Sequence, residues 1–247
     1  DSALMLSEMA IDLKDKEVLG KQELIVLDML QTNNWERPIY YAVTVSPDQF
    51  VKLDGYFQQT GLAYQIVPMS TKGTNKAVNS EKMYDNVMNK FKWGGVNNPD
   101  VYLDENTMRM CKSFRMALFS KLAGTLIEEG KNDKALKVLD KAMEVLPAKT
   151  VPLDYSALSI GEFYFTLNQK EKAEAVYNGI ADNSLRSLRW YFRLNPNQMA
   201  SVMGDVEHNL AVLQEILRIG KQYDPEYGKA FQEEFDNYRM AYSSVRR

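Results

Sequence analysis

The spacing of apolar and polar positions divides the chain into an N-terminal part of mixed periodicity and a C-terminal part of helical periodicity. Before about residue 100, segments with strand-like alternation follow segments with helical spacing. After Asp104, apolar residues recur almost only at intervals of three and four. The pattern predicts a mainly α protein, with a small α/β unit over residues 1–100 and a helical superhelix over residues 101–247.

The N-terminal part carries alternating helix and strand patterns. The predicted elements are a weak strand at 5–13, a helix at 22–30, a strand at 37–45, a helical turn at 53–59, a strand at 62–67 and a helix at 81–91. Pro38 lacks an N–H, so we expect it at the start of its strand. Because a helical turn separates the two stronger strands, the order predicts that they pair in parallel.

The C-terminal part carries seven segments with helical spacing. These are 106–129, 133–146, 154–167, 170–180, 184–194, 203–223 and 225–243. Asp133 and Asp154 precede two of them and are predicted N-caps. Gly130 and Asn168 follow two of them, where a left-handed residue ends a helix.

Two of the helical segments align with one another as a repeat. The first set is Phe119, Leu122, Ala123, Leu126, Ala135, Leu139, Ala142 and Pro147, and the second is Ala157, Ile160, Gly161, Tyr164, Ala173, Tyr177 and Ile180. Their order of large and small residues resembles a tetratricopeptide unit, whose small residues let two helices approach closely. The spacing is slightly longer than the usual period of about 34 residues, and the linker at 147–152 accounts for the excess.

The repeat pattern predicts more than two hairpins. A third, degenerate hairpin is expected over 184–223, and a final helix over 225–243 is expected to cap the stack. The predicted fold is therefore a small α/β unit followed by a tetratricopeptide-like α-α superhelix.

Composition narrows the possible functions. The 247 residues carry a formal net charge of −3, and no cluster of Lys and Arg stands out, so nucleic acid is not an expected partner. No apolar run reaches the roughly 20 residues that span a bilayer, so we expect no direct membrane insertion by this chain. The chain opens at Asp1 rather than at a methionine, and we expect it to be a piece of a longer polypeptide.

The candidate chemical groups are few. Cys111 and His208 are the only residues of their types, which excludes an internal disulfide and a Cys/His zinc site within one chain. We expect Cys111 to be a buried structural thiol and His208 to lie at the surface. An acidic stretch, Asp12, Asp15 and Glu17, lacks the loop spacing of a calcium site. No catalytic, cofactor-binding or metal-binding residue is predicted, and no cofactor is expected.

A more specific pattern lies in several sequence blocks. They are Leu24 to Leu30, Asn33 to Ala42, Gly61 to Pro68, Phe91 to Gly95, and Tyr102 to Asn106 followed by Arg109, Met110 and Arg115. Together they resemble the C-terminal extramembrane region of a family of bacterial multi-pass membrane proteins, the protein O-mannosyltransferase-like glycosyltransferases. The resemblance runs from about residue 5 to residue 147 and continues more loosely to the end. Tyr41 and Gln65 depart from it, standing where Phe and Arg are common.

The resemblance implies that the active site is elsewhere. In such enzymes, acidic residues in loops of the transmembrane part act on a lipid-linked sugar donor, and that part is not in this chain. The chain itself is therefore expected not to be an enzyme. The resemblance implies a location at the periplasmic face of the inner membrane, and as partners the transmembrane part of the same polypeptide and acceptor proteins.

The candidate docking residues are Trp35, Arg37 and Tyr40. We expect Trp35 to cover an edge of the core. We expect Arg37 to pair with an acidic group or with main-chain oxygens inside the domain. If instead both side chains are fully exposed and free of contacts within the domain, this segment becomes the prime candidate for the surface that meets the membrane part.

Two other functions are compatible with the residues. One is a free-standing tetratricopeptide adaptor that binds a peptide or protein in its concave groove. The other is an independent hydrolase or transferase, for which no residue constellation argues. A full-length sequence distinguishes the first two, because apolar segments of about 20 residues before Asp1 identify a membrane protein.

Overall fold

The computed structural model describes residues 5–14 and 16–245, except for the side chains of Asn75 and Val245. The chain forms two compact units, Asp1–Phe91 and Lys92–Arg247. It is mainly helical, with one small N-terminal sheet, as the periodicity predicted.

The N-terminal unit combines two helices with three short strands. Its elements are α1 (Lys21–Thr32), β1 (Tyr40–Ala42), β2 (Phe57–Gln59), β3 (Ala63–Ile66) and α2 (Ser80–Asp85), which continues as a π-helical segment, Asn86–Lys90. Glu23 begins α1 by accepting a hydrogen bond from the N–H of Gly20 at 2.7 Å. The weak strand expected at 5–13 is absent from the described part of the chain.

The strands pair differently from the sequence-based prediction. Their order in the sheet is β1-β3-β2, and both pairings are antiparallel, so the predicted parallel pair is wrong. The segment predicted as a helical turn is a short 3₁₀ turn, Asp54–Tyr56, followed at once by β2. A tight turn through Gly61, whose φ is +142°, then joins β2 to β3. Without a helical crossover, β2 and β3 pair as a hairpin, and β1 adds to the other edge of β3 in the antiparallel direction.

The core of the N-terminal unit lies on one face of this sheet. Its buried apolar residues are Phe50, Val51, Leu53, Phe57 and Ile66. Tyr41 packs against this cluster, with its ring 5.2 Å from that of Phe57. Because side chains alternate along a strand, Tyr40 and Ala42 lie on the opposite, exposed face.

The C-terminal unit is built from helices. They are α3 (Glu105–Phe114), α4 (Lys121–Glu128), α5 (Asn132–Val145), α6 (Leu158–Thr166), α7 (Lys170–Tyr191), α8 (Pro196–Ser201), α9 (Met203–Tyr223) and α10 (Lys229–Val245). A π-helical segment, Arg115–Ser120, joins α3 to α4. The two segments predicted at 170–180 and 184–194 are one helix, α7, since Ala181, Ser184 and Leu185 between them are buried along its face.

The helix ends follow the local sequence rules with one exception. Gly130 and Asn168 adopt left-handed φ angles of 73° and 57° after α4 and α6, as predicted. Asp154 caps a 3₁₀ turn before α6 by accepting a hydrogen bond from the N–H of Ser156 at 3.0 Å. Asp133 is not a cap, because α5 already begins at Asn132.

The aligned repeat positions lie inside the helical unit. Every non-proline position of the two sets is buried, and Pro147 is half-buried. The hairpin partners α4 and α5 pack together, as do α6 and α7. The third hairpin expected at 184–223 is not formed, because Ser184–Tyr191 prolongs α7. Helix α9 packs on α7 and is followed by α10, which packs against it.

Enlarging a small residue of the repeat is expected to destabilise this packing. Ala173 is fully buried in α7. Replacing Ala173 by Leu should lower the free energy of unfolding by about 1–3 kcal/mol, because extra methylene groups must displace well-packed neighbours. Thermal melts measure the effect, with Ala230→Leu on the exposed side of α10 as the control. An Ala173→Leu melt equal to that of the parent would argue against the repeat alignment.

Candidate docking surface

The turn between α1 and β1 is held in an unusual main-chain conformation. Asn34 and Trp35 both have left-handed φ angles, of 45° and 61°. Asn33 closes the turn with its side chain. Its amide nitrogen donates to the carbonyl oxygen of Arg37 at 2.6 Å, and its amide oxygen accepts from the N–H of Arg37 at 3.3 Å.

Trp35 is partly exposed at this turn. Its exposed fraction is 44%, so more than half of the side chain is covered, and the expectation that it covers an edge of the core stays a prediction. A bulky residue rarely adopts positive φ, and the left-handed conformation costs roughly 1–2 kcal/mol. Strained residues of this kind concentrate at ligand-binding and switch positions. The strained, exposed indole therefore marks the turn as a candidate binding site.

Arg37 is exposed two residues later. Its main chain bonds to Asn33, but within the described part of the chain its guanidinium forms neither an ion pair nor a hydrogen bond. The expectation of an intradomain partner for this group is wrong, because the Asn33 side chain bonds only to the main chain of Arg37. Arg37 thus presents a free cation beside Trp35.

Tyr40 joins this surface to the sheet. Its hydroxyl accepts a hydrogen bond from Lys82 Nζ at 2.8 Å and donates to Gln65 Oε1 at 3.4 Å. Lys82 Nζ also donates to Gln65 Oε1 at 3.1 Å and lies 5.3 Å from the centre of the Tyr40 ring. This cluster holds the Tyr40 side chain in place and adds a second exposed cation.

The outer side of α1 extends the surface. Leu24, Ile25 and Met29 are exposed on α1, and Ile25 and Met29 are neighbours at i and i+4. A groove of about 620 Å³ lies between the end of α1 and the start of β1. It is lined by Met29, Thr32, Asn33, Glu36, Arg37, Pro38, Ile39 and Tyr40. We call Leu24, Ile25, Met29, Trp35, Arg37 and Tyr40 the α1–β1 surface.

The α1–β1 surface has the composition of a binding site. Large exposed apolar side chains that lie together mark interaction sites more often than scattered ones do. Tryptophan, tyrosine and arginine are the residue types that dominate binding energy at interfaces. Of the three predicted docking residues, Arg37 and Tyr40 line the groove between α1 and β1 together with Met29, while Trp35, Leu24 and Ile25 are exposed outside its lining.

The sequence contained a signal for the exposed apolar residues of α1. Apolar residues occupy six of the seven positions from Leu24 to Leu30. A helix that packs on one side needs only a stripe of apolar residues. The half-buried Val26, Leu27 and Leu30 form that stripe. Leu24, Ile25 and Met29 lie outside this stripe, and these additional apolar residues indicate a second contact face.

The comparisons with known proteins bear on this same unit. A family model described as TMEM260-associated domain 2 matches residues 1–86. The N-terminal unit is similar to a TMEM260-associated domain. The matched range contains the whole α1–β1 surface and the sheet behind it. No curated protein and no solved structure matches the chain.

The other candidate groups contribute no chemical site among the described residues. The thiol of Cys111 is buried, and burial raises its pKa. His208 is exposed on α9, where its ring meets that of Tyr155 at 5.1 Å. No three His, Cys, Asp or Glu residues of the described chain are grouped so that they could hold a metal. Asp15, in the acidic stretch, lies outside the described residues.

Membrane-spanning capacity can be judged for the helices. Among the described residues, no helix combines the length and the apolar character that crossing a membrane requires.

Strain in the main chain at Trp35 can be tested on the chain alone, without a binding partner. Glycine adopts positive φ freely, so Trp35→Gly should leave the free energy of unfolding unchanged or raise it by up to about 1 kcal/mol. Urea unfolding measures the change, with Asn34→Gly at the neighbouring left-handed position as the comparison. A loss of more than about 1 kcal/mol on Trp35→Gly would mean that the indole supports the core after all.

Proposed function

We propose that this chain is a non-catalytic extramembrane domain of a membrane protein, and that its N-terminal unit docks against the transmembrane part of the same polypeptide. The observation that carries the proposal is the match of residues 1–86 to a TMEM260-associated domain. A domain described by its association with another part is an accessory domain, and accessory domains need a contact surface.

The α1–β1 surface is the proposed contact. In an isolated domain, neither the exposed part of the Trp35 indole nor the Arg37 guanidinium, which pairs with no other described side chain, adds to the stability of the core. Both become favourable in an interface, where an aromatic anchor fills a pocket and an arginine pairs with a carboxylate or carbonyl oxygen. The left-handed turn pre-sets Trp35 in its exposed position, which reduces the ordering cost of binding.

The wider setting of the proposal comes from the sequence resemblance to protein O-mannosyltransferase-like glycosyltransferases. We propose that the parent protein transfers a sugar to acceptor proteins at the periplasmic face of the inner membrane. In this proposal the chemistry belongs to the transmembrane part, and this chain braces that part or helps to dock the acceptor.

Binding between separately produced parts tests the docking proposal. The chain is immobilised, and the detergent-solubilised transmembrane part of the parent protein is passed over it. Trp35→Ala and Arg37→Ala should each weaken binding at least tenfold, which corresponds to about 1.4 kcal/mol. Trp190→Ala is the matched control, because Trp190 is an exposed tryptophan of the C-terminal unit. Binding that is insensitive to Trp35 and Arg37 would exclude the α1–β1 surface.

A second candidate function is a tetratricopeptide-like adaptor. The burial of every aligned repeat position except Pro147 supports it, since such hairpins present a groove for a peptide. The same binding experiment discriminates between the two candidates. Binding retained in Trp35→Ala but lost in Tyr155→Ala, a change at an exposed aromatic residue of the helical unit, would favour the adaptor.

A further inference from the structure

The outer edge of β1 carries main-chain groups that no other strand of the described residues uses. Ile39 accepts a hydrogen bond from the N–H of Ile66 at 3.0 Å, and Val43 donates to the carbonyl of Leu62 at 3.1 Å. Odd-numbered residues of this segment therefore bond to β3. Because bonding directions alternate along a strand, the main-chain groups of the even-numbered residues face away from the sheet.

Four of these outward groups are available for pairing. They are the carbonyl of Pro38, the N–H and carbonyl of Tyr40, and the N–H of Ala42. Within the described part of the chain, none of the four has a hydrogen-bond partner. The carbonyl of Ala42 is already used, because it accepts from the N–H of Val45 at 3.0 Å. An unpaired edge of this kind is a template for another strand.

The groove described above lies along this edge. Its walls are the end of α1, with Met29 and Thr32, and the start of β1, with Ile39 and Tyr40. A strand added to β1 lies about 4.8 Å from it. Recognition of extended peptides commonly uses this arrangement, in which main-chain bonds give affinity and the groove gives specificity.

The charges along the groove define the chemistry of the added strand. Arg37, in the turn that precedes β1, is exposed, and its guanidinium has no partner among the described residues. On the exposed face of the sheet, Lys82 Nζ is held against Tyr40. The one acidic residue that lines the groove is Glu36. One cation precedes the edge and the other lies on the exposed face of β1, so together they complement a strand that carries acidic side chains.

We propose that β1 accepts an extended segment of the transmembrane part, carrying acidic side chains, as a fourth strand of the sheet. The inference rests on the proposed function for the source of the segment. One face of the added strand contacts Met29 and Ile39, while its carboxylates pair with Arg37 and Lys82.

Removing a single outward N–H tests the strand pairing. Ala42→Pro deletes the N–H that faces away from β3 and leaves the β1–β3 bonds intact, as an edge strand tolerates. It should weaken binding of the solubilised transmembrane part at least tenfold, whereas Ala42→Ser should stay within about twofold of the parent. Circular dichroism and a thermal melt check that Ala42→Pro remains folded.

A second measurement uses the unmodified chain. The probes are a capped pentapeptide of alternating valine and glutamate and its counterpart with lysine in place of glutamate. Amide hydrogen exchange at Tyr40 and Ala42 should slow at least tenfold with the glutamate peptide and stay unchanged with the lysine peptide.

The outcomes separate this inference from the docking proposal. Docking that depends on Trp35 but not on the N–H of Ala42, with unchanged exchange at Tyr40, overturns the added strand and leaves docking standing. Slowed exchange without docking of the transmembrane part overturns the docking proposal and supports the edge as an acidic-strand site. If neither docking nor slowed exchange is observed, both proposals are overturned.

Discussion

Replacing Arg115 by Met should lower the free energy of unfolding of the C-terminal unit by about 3–5 kcal/mol. Arg115 begins the π-helical segment between α3 and α4 and is fully buried. Its guanidinium donates to the carbonyl oxygens of Leu146 at 2.9 Å and Pro152 at 2.8 Å, and to that of Val151. Methionine has an unbranched apolar side chain that is shorter than arginine, and it donates no hydrogen bond.

The size of the loss in unfolding free energy follows from the buried carbonyl groups that the substitution leaves without a hydrogen-bond donor. Leu146 and Val151 are fully buried, so their carbonyl groups cannot turn to water once the guanidinium is gone. A buried polar group without a partner costs about 1–3 kcal/mol. Burial lowers the pKa of Arg115 to about 10, so the side chain is still charged at neutral pH and its hydrogen bonds are charge-assisted.

Tryptophan fluorescence can follow this unfolding. Trp93 stacks on Phe119 with ring centres 5.2 Å apart, and it becomes the sole tryptophan when Trp35 and Trp190 are replaced by Phe. Arg186→Met, on the exposed side of α7, should change the free energy of unfolding by less than about 0.5 kcal/mol. A cost below about 1 kcal/mol for Arg115→Met would mean that the linker at 147–152 does not depend on the guanidinium.

Replacing Gly161 by Val should cost about 3 kcal/mol or more. A Cβ atom added at Gly161 would lie 2.1 Å from Cε1 of Tyr177. Tyr177 is fully buried and cannot move aside. Overpacking of a core typically costs 1–3 kcal/mol, and a branched side chain at a contact this close belongs at the upper end.

Two comparisons isolate the steric origin of that cost. A Cβ atom at Gly204 of α9 meets nothing within 4 Å, so Gly204→Val should stay within about 0.5 kcal/mol of the parent. The cost of Gly161→Val should also shrink when Tyr177 is replaced by Ala, in a double-mutant cycle read by urea unfolding. Equal costs at Gly161 and Gly204 would contradict a close helix contact.

The helices could be predicted from local sequence because their signals are local. Gly130 and Asn168 end helices in the left-handed conformation that their positions required. The parallel strand pair was predicted from element order, but order does not determine direction when the intervening turn is not a helix. The segment Asp54–Tyr56 is too short to carry a crossover.

The candidate site was only partly predictable for a physical reason. The residue types of Trp35, Arg37 and Tyr40 identified them as candidates. Their exposure, however, depends on the main-chain conformation. Of the two successive left-handed residues, only Asn34 is of a type whose sequence signals that conformation. The role of Arg115 was equally hidden. Its carbonyl partners come more than thirty residues later in the chain, so no local pattern relates them.

The length of α7 governs how the helical unit holds together. In an array of independent repeats, each hairpin has its own two helices, and stability adds up along the array. Here α7 packs against α6 and also against α9, and the bidentate pair of Arg189 with Glu234 at 2.7 Å ties it to α10. Unfolding of one hairpin therefore exposes the apolar face of the next hairpin to solvent. We therefore expect the helices of this unit to fold and unfold as a single cooperative block.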